Sequence, residues 1–148
     1  IPADEHVFTP PPIAHPLDVR FGQVARLIGY NLPSETFTAD ETIPLTLYWQ
    51  AMEGATGADY AIFTHVLAAD GHLVGQHDGP PAGGARPTAG WVPGEIITDQ
   101  HVMTFREPYI GPARIEVGLY DPVTLERAPT GEGETFTLLP ITLTILER

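Results

Sequence analysis

A chain of 148 residues that is 43% hydrophobic and 18% charged is long enough to enclose one core and too apolar to remain disordered. Nineteen acidic residues against seven basic ones, all arginine, give a formal charge of −12. Nucleic acid and anionic membrane surfaces are therefore disfavoured as partners, since both demand a basic patch. The absence of cysteine excludes disulfides, thiol nucleophiles and thiolate metal sites.

Residues 1–17, "IPADEHVFTPPPIAHPL", carry five prolines and no steady period, which predicts an extended arm or linker ahead of a domain at 18–148. The same stretch has neither a basic nor an apolar signal region, so no targeting segment is expected in it. No apolar run approaches the roughly 18 residues of a membrane span. "VRFGQVARLIGYNL" (19–32) reads as one strand bent at Gly22 and Gly29, and "IPLTLYWQA" (43–51) alternates, with Leu45, Leu47 and Trp49 on one face. In "YAIFTHVLAADGHLVGQHD" (60–78), Asp70-Gly71 between two alternating runs predicts a two-residue type I′ hairpin. That register sets Leu67 against Val74, His65 against Gln76, and Phe63 against Asp78. Further strands are expected at 95–105, 113–121 and 134–147, the last interrupted by Pro140. The result is an all-β, antiparallel, immunoglobulin-like sandwich of about seven to eight strands, with a closed barrel as the alternative.

Chemistry is sparse. Ser34 is the only serine and lies outside any G-x-S-x-G motif, and no phosphate-binding glycine loop occurs. His65, Gln76 and Asp78 share one strand-pair face, while Asp99 and His101 share a face of another strand. Together they form a candidate polar cluster. Their spacing matches no metal-ligand signature, so a hydrogen-bonded network in which Asp78 accepts from loop backbone or from His65, and so pins the start of the following loop, is expected in place of an ion. A carboxylate pair for glycoside hydrolysis drawn from Asp78, Glu95 and Asp99 is the catalytic alternative. Trp91 stands in the Gly/Pro-rich loop "QHDGPPAGGARPTAGWVPGE" and has two readings. It folds back as an internal plug, or it forms a ligand platform with Tyr109 or Tyr120 that stacks on a sugar.

Taken in order, "DVRFGQVARLIGYNL", L-x-L-x-W-Q, the D-G hairpin, Q-x-D-G-x-P, W-x-P-G-E and G-L-Y-D-P resemble a β-sandwich module of bacterial surface proteins. That module stands on the extracytoplasmic side, after the membrane-spanning part of proteins similar to lipid-linked-sugar glycosyltransferases. The likeness covers about residues 18–146; it implies fold and location and carries no catalytic residues. The expectation is thus a non-enzymatic, extracytoplasmic accessory or interaction module without metal or cofactor. Its candidate partners are a protein, further copies of itself, or a glycan. The alternative is a structural subunit that assembles by laying its N-terminal arm on a neighbour's sheet edge.

Overall fold

The computed structural model describes residues 6–54 and 58–148. Its strands are β1 His15–Phe21, β2 Ala25–Asn31, β3 Thr36–Thr38, β4 Ile43–Ala51, β5 Ala61–Ala68, β6 Leu73–Gly79, β7 Ile96–Phe105, β8 Gly111–Tyr120, β9 Thr137–Leu138 and β10 Leu143–Leu146. They hydrogen-bond in the order β1-β2-β4-β7-β6-β5-β8-β10-β3, with β9 also on β8. The protein is all-β, and its sheet is curled and mostly antiparallel. Among the described residues, no helix is long and apolar enough to cross a membrane.

The curl is made by β7. Its Ile96–Met103 stretch pairs with β4, but only Phe105 and Thr104 reach β6, opposite Gly75 and Gln76. One strand therefore serves two halves of the sheet. Alternation along each strand then turns one flank inward. Leu45, Leu47 and Trp49 of β4, Ile97 and Met103 of β7, Ile62 and Val66 of β5, and Ile115, Val117 and Leu119 of β8 all belong to a single buried cluster. Burial of each large side chain contributes about 2 kcal/mol. β-Branched and aromatic residues recur in these strands because they suit a half-buried pleated surface.

Ten strands replace the seven or eight expected, for three local reasons. The segment 19–32 is a hairpin, β1 with β2, because the chain turns at Gly22 and the Val24 N–H bonds the Phe21 carbonyl at 3.1 Å. Residues 36–38 form a short strand that pairs with β10 in parallel, departing from an all-antiparallel ladder. Pro140, which has no N–H to give, separates β9 from β10.

The β5–β6 turn also differs from a type I′ hairpin, which requires two central residues with positive φ. Only Gly71 has one, at +91°, and the Gly71 N–H bonds the Ala68 carbonyl, so Ala69 and Asp70 are the central pair. Asp70 Oδ1 accepts the His72 N–H at 3.0 Å and fixes this three-residue loop. Leu67 then faces Leu73, not Val74, and an extra residue at Val74 restores the expected pairing of His65 with Gln76 and Phe63 with Asp78.

The proline-rich segment lies against the chain's own strands. The Val7 carbonyl accepts the Ile96 N–H at 2.6 Å, Ala14 donates to Asn31 at 2.6 Å, and His15, already in β1, stacks on Tyr30. Residues 1–5 of the arm expected to lie on a neighbour's sheet edge are outside the described residues.

Candidate functional site

The period of two divides each strand's side chains between the core and the outer face. On β5, Ile62, Thr64 and Val66 point inward and are buried, so Phe63 and His65 stand on the outer face. Phe63 lies between Asp78 of β6 and Gly118 of β8; His65 lies between Gln76 and Glu116. The result is two adjacent rows of side chains across three strands.

After Tyr120 the chain turns through Asp121–Glu126 and comes back, so that Arg127 pairs with Tyr120 in an isolated antiparallel bridge. This return places the Arg127 guanidinium 4.2 Å from the Phe63 ring centroid. Although Phe63 is on the outer face, it is only 1% exposed. Gly118 makes this possible. A Cβ there would fall within the van der Waals envelope of the ring, so the missing side chain is the socket in which Phe63 sits.

Above that floor is an open concavity of about 300 Å³ lined by Phe63, His65, Asp78, Tyr120, Leu125 and Arg127. His65 is held from both sides: its Nδ1 is 3.0 Å from Glu116 Oε1, and its Nε2 is 3.5 Å from Asp78 Oδ1. Burial opposes a charge on this imidazole, but the two carboxylates outweigh it and raise its pKa from 6.5 to about 9. Burial and the nearby Asp78 charge push the Tyr120 pKa up, so the phenol stays neutral. Arg127, by contrast, has no carboxylate partner among the described residues.

The raised His65 pKa predicts a pH dependence. A group whose folded pKa exceeds its unfolded value contributes stability that is complete below the unfolded pKa, near 6.5, and is lost as pH rises through about 9. The shift corresponds to about 3 kcal/mol. In urea melts between pH 6 and 9.5, the unfolding free energy of the wild type is expected to fall by that order, and His65→Gln is expected to flatten the decline. Equal slopes for the two proteins would show that His65 is not held by these carboxylates.

The five residues of the predicted polar cluster do not meet. His65 and Asp78 lie on the outer face with exposed Gln76, whereas Asp99 and His101 are buried on the inner face of β7. Asp99 is an internal acceptor for three donors: Trp49 Nε1–H at 3.0 Å, His101 Nε2–H at 2.7 Å and the Ala82 N–H at 2.8 Å. His101 Nδ1 in turn lies 2.8 Å from His77 Nδ1, so one ring of the pair donates to the other. Asp99, not Asp78, thus pins the loop that follows β6. Asp78 holds His65, one of the two partners expected for it. Among the described residues, no group of three His, Asp or Glu side chains converges as a metal site.

The aromatic candidates are likewise dispersed. Trp91 is 1% exposed and donates its indole N–H to the Arg86 carbonyl at 2.7 Å, so it is an internal plug around which the Gly/Pro loop closes. It has no free face to offer a ligand. Tyr109 accepts the Ala69 N–H at 3.0 Å and donates to the Pro112 carbonyl, tying the β5–β6 turn to the start of β8. Tyr120 ends that same strand, so the two tyrosines lie at opposite ends of β8. Tyr120 alone of the three belongs to the concavity.

Nor do Asp78, Glu95 and Asp99 face one cleft. Glu95 is fully buried and accepts from His6, Arg86 and the Val92 N–H. Burial raises its pKa, but these bonds outweigh it and hold the carboxyl below its usual range, the reverse of what a general acid requires.

Compared with known families and curated proteins, the chain matches no family model and no curated sequence.

The sequence reading missed Phe63, Glu116, Leu125 and Arg127. Glu116 follows from continuing the strand register one ladder further, since every residue of β5 pairs with β8. The signal for Arg127 was weaker. "YDPVTLER" is a turn motif, but only the observed return brings Arg127 over Phe63.

Proposed function

We propose that this chain is a non-catalytic carbohydrate-binding accessory module, built as an immunoglobulin-like sandwich and displayed outside the cytoplasm. The observation that carries the reading is the outer-face concavity. There a partly exposed tyrosine, a carboxylate and an arginine with no carboxylate partner among the described residues border the same space of about 300 Å³. A sugar ring has an apolar C–H face that stacks on Tyr120, while its hydroxyls accept from the Arg127 fork and donate to Asp78. His65 and Glu116 brace Asp78 from beneath, and Phe63 braces Arg127, so both polar groups are held before a ligand arrives.

The same bonds argue for binding over turnover. An imidazole with a pKa near 9 is protonated at neutral pH and has no lone pair with which to act as a base. The immunoglobulin-like reading is supported by the antiparallel order and by one core enclosed by the inner flanks of both halves of the sheet. Location outside the cytoplasm rests on the resemblance of the motif order to the bacterial surface module. The engagement of the N-terminal segment with its own Ile96, Glu95 and Asn31 favours a binding module over self-assembly through that arm.

Isothermal titration with cellohexaose, xylohexaose, chitohexaose and polygalacturonate tests this. At least one is expected to bind with Kd between micromolar and millimolar. Tyr120→Ala and Arg127→Ala are each expected to weaken that affinity about tenfold, equivalent to ~1.4 kcal/mol. Absence of binding to all four, or full retention by both variants, would remove the proposal.

A further inference from the structure

Among the described residues positive φ is left to seven glycines and to only two others, Ala82 at +53° and Leu125 at +65°. For an L-residue this left-handed geometry is sterically costly, and a leucine side chain adds bulk. At Ala82 the geometry has a visible return, because it aims the N–H at the buried Asp99 carboxylate. Leu125 has no equivalent return within the fold. Its side chain is 71% exposed and recovers little burial, and the bond from its N–H to the Asp121 carbonyl at 2.7 Å is one that any residue other than proline makes. Glycine or asparagine would hold the same turn with less strain.

What the conformation does achieve is placement. The turn Asp121–Glu126 is fixed at its start by Asp121 Oδ1, which accepts the Val123 N–H at 2.8 Å. At its end it is fixed by the Tyr120–Arg127 bridge. Between these anchors, the left-handed residue directs the Leu125 side chain to the concavity, where it lines the same space as Tyr120 and Arg127. Bulky residues retained in sparsely populated backbone regions cluster at ligand-binding positions.

We infer that Leu125 is a selectivity wall: a strained apolar residue kept for ligand contact at the expense of stability, which admits a ring with an apolar face and narrows the room for substituents on that side. The inference deepens the carbohydrate reading and rests on it. The occupant is therefore a saccharide presenting one face to Tyr120 and one edge to Leu125.

The test compares wild type, Leu125→Gly, Leu125→Asn and Tyr120→Ala by thermal unfolding and by titration with the same four oligosaccharides. Release of the strain is expected to raise Tm by about 2–4 °C in at least one Leu125 variant. Both Leu125 variants are expected to bind the preferred sugar at least fivefold more weakly and to discriminate less among the four. A fall in Tm in both Leu125 variants would overturn the inference by showing that the side chain serves packing. Unchanged affinity and ranking in these variants, with binding lost in Tyr120→Ala, would also overturn it while leaving the carbohydrate reading intact. A wild type that binds none of the four would remove that reading, and the selectivity role with it.

Discussion

Replacing Asp99 with alanine is expected to destabilise the fold by about 3–5 kcal/mol. The reason is arithmetic of donors. Trp49, His101 and Ala82 each give a hydrogen to this carboxylate, at 3.0, 2.7 and 2.8 Å, and both Trp49 and His101 are essentially inaccessible to water. A buried donor that loses its acceptor costs ~1–3 kcal/mol, and the carboxylate-sized gap holds about one water, which accepts from no more than two of the three donors. The effect should also be local. Loss of the Ala82 bond frees the strained turn Pro81–Gly84, so amide exchange at Ala82 should rise more than the global loss requires. Asp99→Asn should be milder, because the amide oxygen still satisfies part of the set while its NH₂ faces a donor. Urea denaturation followed by tryptophan fluorescence reports the change, since both Trp49 and Trp91 are buried. A loss below about 1 kcal/mol in Asp99→Ala would mean that Asp99 is not the hub of this network.

The second large effect is expected at Gly118. The Phe63 ring occupies the space where a β-carbon at this position would stand, and both strands are fixed by ladder bonds on either side. Gly118→Ala must therefore displace the ring, and with it the guanidinium of Arg127 stacked above. Overpacking of this kind costs about 3 kcal/mol, near the upper end of its usual range because the obstructing group is a rigid aromatic. A second substitution distinguishes this mechanism from a general intolerance of β8. If sterics is the cause, Phe63→Leu should recover more than half of the loss in the Gly118→Ala background while destabilising the wild type by itself. Additive losses in the double mutant would point to a cause other than the contact between the two residues.

How much of this was readable beforehand differs from one element to the next. The bounds of β4 follow from its alternation because Leu45, Leu47 and Trp49 share the inner face without interruption. The pairing of His65 with Gln76 and of Phe63 with Asp78 was also legible, yet the turn that sets it was not. An Asp-Gly pair signals both a two-residue I′ turn and a three-residue loop ending in left-handed glycine. The choice was settled by Asp70 bonding to His72, and the slip was cancelled by Val74, an event that no local pattern announces.

Site residues divide in the same way. Faces within a strand pair are a local property, so placing His65, Gln76 and Asp78 together was sound. Joining them to Asp99 and His101 required knowing that β6 meets β7 over only two residue pairs, and that the inner side chains of β7 point into the core. Such long-range geometry is invisible to periodicity. Trp91 was readable as a plug because an exposed indole is disfavoured on natural surfaces. Leu125 was not readable, since residue type gives no hint that a leucine will stand at positive φ.

The most direct measurement is an amide ¹H–¹⁵N titration of the full chain with the oligosaccharide that binds in calorimetry, or with cellohexaose if none does. Shift changes should gather at Phe63, His65, Asp78, Tyr120, Leu125 and Arg127, and leave Trp91 and Tyr109 unmoved. Changes centred instead on the concavity beside Asp18, Arg20 and Glu132, or on the space lined by Val7 and Ile96, would contradict the outer-face site. A spectrum that does not change at all would contradict carbohydrate binding itself.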